Sequence, residues 1–214
     1  CSVRRQRQMC IRDSYNTAIG RSALKLTTTG QSNVAVGNNA LLSNTTGENN
    51  TAVGYNSLDA NTTGSYNTAL GYLSLSADTT GIRNVAIGFH AGQVQNDADD
   101  NVWVGYQCGL NNTSGGSNTG VGKDALRANT TASNNVAVGT DALEANTTAS
   151  SNTAIGKNAL ADTTTGGENV AIGTNAQPSS TTATRNVAIG VNTLNACTDG
   201  SAHVAIGYQA MLSN

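Results

Sequence analysis

The chain has 214 residues and a formal net charge of −2, and only 11% of its residues are charged. This balance offers no basic stripe that would attract nucleic acid or an anionic membrane surface. No apolar run reaches the roughly 20 residues that a membrane helix needs. We therefore expect no nucleic-acid partner and no membrane insertion.

Residues 1–13 differ from everything that follows, because they fit no repeat and contain four arginines. A basic arm for an acidic partner is one interpretation. A non-native or disordered arm is the interpretation that we favour. We assign residues 14–214 to a single repeat domain that is truncated in mid-coil. The last four residues, Met211 to Asn214, match Leu41 to Asn44, which lie in the middle of a unit.

From Ser14 onward, one short unit recurs every 17 residues without an insertion. Its marker is a glycine at positions 20, 37, 54, 71, 88, 105, 122, 139, 156, 173, 190 and 207. An aliphatic residue precedes each glycine: Ile19, Val36, Val53, Leu70, Ile87, Val104, Val121, Val138, Ile155, Ile172, Ile189 and Ile206. Such strict periodicity is typical of stacked repeat architectures.

Within each unit, the consensus Asn-[Val/Thr]-Ala-[Val/Ile]-Gly predicts a short β-strand. Its period-two alternation places the two β-branched residues on one face and Asn with Ala on the other. The later Thr-Thr-Gly is turn chemistry. A unit this short cannot offset the entropy of ordering its backbone, so the units must stack. The sequence predicts an all-β fold, a single-chain parallel β-solenoid of twelve 17-residue coils, about 57 Å long.

Stacking makes each repeat position a column along the axis. We expect the aliphatic column before the glycines to be the structural core. We expect an Asn ladder from Asn33, Asn50, Asn67, Asn84, Asn101, Asn118, Asn135, Asn152, Asn169 and Asn186. The residue two positions before each repeat glycine is small in nearly every unit, and we expect it to face outward. We interpret these residues as a subunit interface: Ala35, Ala52, Ala69, Ala86, Trp103, Gly120, Ala137 and Ala154.

Trp103 interrupts the alanine column, and Gly120 follows it in the next coil. One interpretation is that the interface absorbs the bulk of the indole at Gly120. The alternative is that Trp103 lies on an exposed face.

The run Asn-Val-Ala-Ile-Gly at 84–88 and 186–190, with its variants elsewhere, resembles the head repeats of YadA-like trimeric autotransporter adhesins. Similar repeats occur in phage tail-fibre-like proteins. The resemblance covers about 200 residues, from Ser14 to the end. It implies a left-handed parallel β-roll, three chains side by side as a homotrimer, and a role in surface attachment.

Aromatic residues follow the glycine in four consecutive units: Tyr55, Tyr72, Phe89 and Tyr106. Such a strip could bind the faces of sugars, or it could stabilise the stack through ring contacts between coils. We favour the second interpretation.

Other candidate chemistry is sparse. His90 and His203 are almost seven units apart, so they cannot share a site. Asp97, Asp99 and Asp100 could bind calcium, but we favour a solvated loop. The four cysteines, Cys1, Cys10, Cys108 and Cys197, have neither the spacing of a zinc site nor that of a disulfide framework. We expect no catalytic residue, no metal and no cofactor.

The predicted function is a structural or adhesive segment of an extracellular fibre on a cell surface or virion. Its partners would be further copies of itself, with a glycan or protein receptor as a possible addition. A passive filament without a receptor is the alternative. An ice-binding solenoid is less favoured, because adjacent threonines such as Thr62 and Thr63 would point to opposite faces of a strand.

Overall fold

The computed structural model describes residues 14–196 and 198–212. Our interpretations of residues 1–13, of Cys197 and of the last two residues therefore lie outside the described part. The described residues contain twelve strands: β1 (Thr17–Ile19), β2 (Val34–Val36), β3 (Thr51–Val53), β4 (Thr68–Leu70), β5 (Val85–Ile87), β6 (Val102–Val104), β7 (Thr119–Val121), β8 (Val136–Val138), β9 (Thr153–Ile155), β10 (Val170–Ile172), β11 (Val187–Ile189) and β12 (Val204–Ile206).

These strands form one parallel sheet in sequence order, from β1 to β12. Each residue pairs with its equivalent 17 positions later, as Val34 does with Thr51 and Thr51 with Thr68. Eleven complete coils thus connect the twelve strands in one register. The predicted all-β parallel solenoid and its 17-residue period are confirmed.

The segments between strands are turns, and they are hydrogen-bonded between coils as the strands are. The amide of Leu41 donates to the carbonyl of Ser57 at 3.1 Å, and that of Thr45 to Thr62 at 2.9 Å. On the far side of the coil, the Asn49 amide donates to Gln31 at 3.0 Å. Stacking therefore satisfies the backbone around the whole coil, which a single unit could not do for itself.

The repeat glycines are required by backbone geometry and by close approach. Gly54 has a φ of +139°, a conformation that residues with a Cβ atom rarely adopt. A Cβ atom built there would lie 2.7 Å from the carbonyl carbon of Gly71 in the next coil. The glycine column is therefore where consecutive coils come closest at the end of the strand.

The interior is the reverse of our expectation. The central residue of the strands from β2 to β12 is buried, and Ala35, Ala52, Ala69, Ala86, Trp103, Ala137 and Ala154 are all 0% exposed. The predicted subunit interface is therefore wrong for these residues, because they already pack inside their own chain. Gly120 is likewise buried in β7.

The predicted aliphatic core is wrong for the same reason, since none of its twelve members is buried. Five are partly buried, namely Val36, Val53, Val104, Val138 and Ile189. Seven are exposed, namely Ile19, Leu70, Ile87, Val121, Ile155, Ile172 and Ile206. The alternation of the strand was predicted correctly, and its orientation was inverted.

The width of the coil explains the inversion. A column of leucines fills the lumen from the wall opposite the strands: Leu41, Leu58, Leu75, Leu126, Leu143, Leu160 and Leu194 are all 0% exposed. Protein interiors are close-packed, so a leucine on one wall leaves room only for alanine on the other. The larger strand residues must then point outward.

Trp103 shows this compensation most directly. The two positions where leucine would face it are Gly92 and Gly109, and both are buried against the indole. Its Nε1 donates a hydrogen bond to Oε1 of Gln95 at 2.9 Å. A Cβ atom on Gly120 would lie 3.0 Å from Cε3 of the indole. Trp103 therefore fills the lumen of its coil, and the interpretation that places it on an exposed face is wrong.

The Asn ladder is present, and it runs through both side chains and backbone. In the interior, Oδ1 of Asn101 accepts the backbone amide of Asn118 at 2.9 Å. Nδ2 of Asn118 donates to the carbonyl of Ala132 at 2.9 Å. The same pair of bonds recurs along the predicted column, so each Asn side chain joins its own coil to the following one.

Candidate functional site

The most distinctive surface consists of the first and third residues of every strand, which we call the outer sheet face. The first residues are Thr17, Val34, Thr51, Thr68, Val85, Val102, Thr119, Val136, Thr153, Val170, Val187 and Val204. The third residues are the twelve aliphatic residues that precede the glycines. All 24 side chains are Val, Thr, Ile or Leu, and none is charged.

Each of these side chains is partly or fully accessible, from partly buried at the centre to 66% exposed for Ile206 at the last strand. Neighbouring strands lie about 4.8 Å apart, so eleven intervals give a face about 53 Å long. At a width of about 10 Å, its area is on the order of 500 Å². Contiguous apolar patches of this size on soluble proteins are often functional.

The aromatic strip is a continuous stack. Ring centroids of Tyr55, Tyr72, Phe89 and Tyr106 are separated by 5.3, 5.3 and 5.4 Å, with interplanar angles of 11°, 9° and 5°. Tyr72 and Phe89 thus have an aromatic neighbour on each side, and the strip presents mainly ring edges to solvent. This arrangement favours stabilisation between coils over the stacking of sugars on open ring faces.

His90 belongs to the same stack, with its ring centroid 3.9 Å from that of Phe89. Partial burial lowers the pKa of His90 below its usual value. His203 lies far along the chain, where its backbone amide donates to Asn186 Oδ1 at 2.8 Å. The coils place the two histidines in separate surroundings, as their spacing predicts.

The acidic cluster is engaged in bonds between coils. Asp100 accepts hydrogen bonds from Arg83 at 2.6 and 2.8 Å, and this contact holds the pKa of Asp100 below its usual value. Asp99 accepts the backbone amide of Ile82 at 2.8 Å. Within the described part of the chain, no group of three or more His, Cys, Asp or Glu side chains could hold a metal ion.

Two buried titratable groups lie inside the lumen near Trp103. Desolvation by burial raises the pKa of the Cys108 thiol to about 12, which makes it an unreactive packing group. Desolvation likewise raises the pKa of Asp78 to about 7, although bonds from Gly81 and Gln95 lower it. Asp78 stands where Asn61 stands one coil earlier and Gln95 one coil later.

Sequence reasoning missed the outer sheet face, although a signal for it was available. Both outward columns lack a single charged residue, whereas solvated strand faces usually carry polar residues in alternation. Residues 14–196 and 198–212 contain no helix of the length and hydropathy that a membrane crossing requires.

No protein-family model, curated protein or solved structure matches this chain. The resemblance to YadA-like head repeats therefore stays a prediction from the repeat itself.

Proposed function

We propose that this chain is a structural or adhesive segment of an extracellular fibre, on a cell surface or virion, in which copies lie side by side. The observation that carries the proposal is the uncharged outer sheet face. Our proposal includes three copies and a left-handed coil, as the resemblance to trimeric adhesin heads implies. It assigns no reaction to the chain.

The chemistry of this face suits contact with a second copy. Val, Ile and Thr are stiff at χ1, so ordering them in an interface costs little side-chain entropy. Burying their methyl groups contributes about 25 cal/mol per Å². A column of Val, Thr, Ile and Leu side chains at one fixed spacing can also match the same column of a second copy, because the spacing is the same on every copy. Side-by-side association would thus extend the contact over all the coils.

The mass of the particle in solution tests this proposal. We expect wild-type protein to sediment at about three times the single-chain mass of 21.7 kDa. A variant with Ile87→Lys and Ile155→Lys, both on the outer sheet face, should sediment as single chains. A matched variant with Thr63→Lys and Thr148→Lys adds the same charge at exposed turn positions and should stay associated.

Circular dichroism should show that all three proteins keep their β-structure, since the substituted residues point outward. A wild-type protein that remains a single chain at high concentration would overturn the side-by-side arrangement. A passive filament without a receptor should give the same sedimentation result. Binding to cells or to immobilised glycans separates it from an adhesin.

The same face favours one second candidate, an ice-binding solenoid. Its rows of methyl groups, with Thr hydroxyls at Thr17, Thr51, Thr68, Thr119 and Thr153, form an uncharged array. The turn threonines do not add a second array, since Oγ1 of Thr62 is bonded to the Thr79 carbonyl at 3.0 Å. Measurable thermal hysteresis from a single-chain species would favour ice binding over the fibre.

A further inference from the structure

A second column of amides lines the lumen at the turn, and we call it the lumen amide column. Its members are Asn44, Asn61, Asp78, Gln95, Asn112, Asn129, Asn146, Thr163 and Ser180. Asn129 shows the regular pattern. Its Nδ2 donates to Oδ1 of Asn112 at 2.7 Å and to the carbonyl of Ala132 at 3.1 Å. Asn146 repeats both bonds at 2.9 and 3.0 Å.

The pattern stops at Thr163 and Ser180, which cannot supply the amide donors. Both are 0% exposed, as is Asn146. The hydroxyls of Thr163 and Ser180 and Oδ1 of Asn146 have no hydrogen-bond partner within the described part of the chain. Three neutral polar groups are thus buried in successive coils without a protein partner.

Gln177, three residues before Ser180, adds to this cluster. It occupies the position where eight coils carry leucine, and it has the same left-handed backbone, with a φ of 48° against 51° for Leu160. Its side chain is 0% exposed, and neither Oε1 nor Nε2 has a partner among the described residues. Four side chains in the three coils that follow β8, β9 and β10 therefore leave five buried polar atoms unpaired.

Such a cluster lowers the stability of the fold unless a ligand forms hydrogen bonds with its atoms, because each unpaired buried polar group destabilises a fold by about 1 to 3 kcal/mol. Thr163 and Ser180 are shorter than the asparagines that they replace. The lumen at these coils therefore lacks the amide groups that occupy this position in the coils before it.

We propose that this part of the lumen binds ordered water molecules. The unpaired atoms include both hydrogen-bond donors and acceptors, and this mixture decides the class of ligand. Oδ1 of Asn146 needs a hydrogen-bond donor, which an anion lacks. Nε2 of Gln177 needs an acceptor, which a cation lacks. Water supplies both, and a buried water makes about three hydrogen bonds, so about two molecules satisfy the five atoms.

The remaining coils act as an internal control. Oδ1 of Asn112 and Oδ1 of Asn129 each accept the side-chain amide of the next residue in the column, so protein groups make these bonds directly. The water site thus replaces two asparagine amides in a ladder whose bonds are made directly from Asn112 to Asn146. This inference stands independently of the fibre proposal, since it concerns the interior of a single chain.

Water-oxygen magnetic relaxation dispersion tests it, because it counts internal waters with long residence times. We expect wild-type protein to hold about two such waters. A variant with Thr163→Asn and Ser180→Asn, which restores the amide column, should lose them. The matched control, Thr165→Asn and Thr182→Asn, changes exposed threonines in the same coils and should keep them.

Gln177→Leu provides a second variant, which restores the residue that eight coils carry and should reduce the number of waters. Thermal unfolding by circular dichroism establishes that each variant is folded. Equal water counts in wild type and in both lumen variants would overturn the inference. So would a crystal structure in which rubidium, added in place of the buffer cation, gives an anomalous peak beside Gln177.

Discussion

Trp103 and Gly92 occupy one space from opposite walls of the coil: a Cβ atom on Gly92 would lie 2.6 Å from Cδ1 of the indole. Gly92 stands where Leu75 stands one coil earlier, and both have a left-handed backbone. The glycine is therefore required by packing against Trp103, since leucine tolerates this φ elsewhere in the chain.

This relationship predicts a strong coupling between the two positions. Trp103→Ala should destabilise the fold by about 3 to 5 kcal/mol, because it empties the lumen. Gly92→Leu should cost about 1 to 3 kcal/mol by overpacking. The double variant should cost less than the sum, because the leucine then fills the space that the indole has left. Urea unfolding measures all three, and additive costs would contradict shared occupancy of the lumen.

Asp78 predicts a dependence of stability on pH. Its folded pKa is raised from 3.8 to about 7 by burial, so the fold prefers the protonated acid. The stabilisation is complete below pH 4, falls as the pH rises, and is lost above pH 7. The total change is on the order of 4 kcal/mol.

Asp78→Asn should remove most of this dependence and raise the stability at pH 8. The new amide could also donate to Oδ1 of Asn61, a buried atom without a partner in the described chain. Asp162→Asn changes an exposed carboxylate and provides the control. Thermal melts of the three proteins between pH 4 and 8 test the prediction, which fails if the wild-type and Asp78→Asn curves are parallel.

Asn118→Leu should destabilise the ladder between its own coil and the following one. It leaves the carbonyl of Ala132 without its donor and the amide of Asn135 without its acceptor. Two such groups cost about 2 to 6 kcal/mol. Asn111→Leu, at an exposed turn position, should have little effect. An unchanged melting temperature for Asn118→Leu would count against the ladder as a source of stability.

Tyr72→Ala should lower stability without changing carbohydrate binding. Its ring stacks on Tyr55 and Phe89 at 5.3 Å each, and each contact is worth about 0.5 to 1.5 kcal/mol. Tyr66→Ala removes a ring that is 62% exposed and lies outside the strip, so it serves as control. A glycan array that loses signal only with Tyr72→Ala would restore the sugar-binding interpretation.

Some contacts between coils could be predicted from the sequence, and others could not. The aromatic strip and the Asn ladder could be read from the repeat frame, because parallel stacking brings equivalent positions together. The internal compensation around Trp103 could be read only in part. Gly120 was noticed as the next residue in the column. Gly92 and Gly109 interrupt the leucine column, but the sequence does not show that this column faces the strand residues across the lumen.

The sequence by itself determined the 17-residue period, the parallel register and the alternation within each strand, since all three follow from residue types at fixed spacing. Only the tertiary structure decided which face of the strand is inside. Alternation defines two faces but not their direction, and the direction depends on what occupies the opposite wall. Leucines there leave room for alanine alone, so the larger residues point outward and form the uncharged outer sheet face.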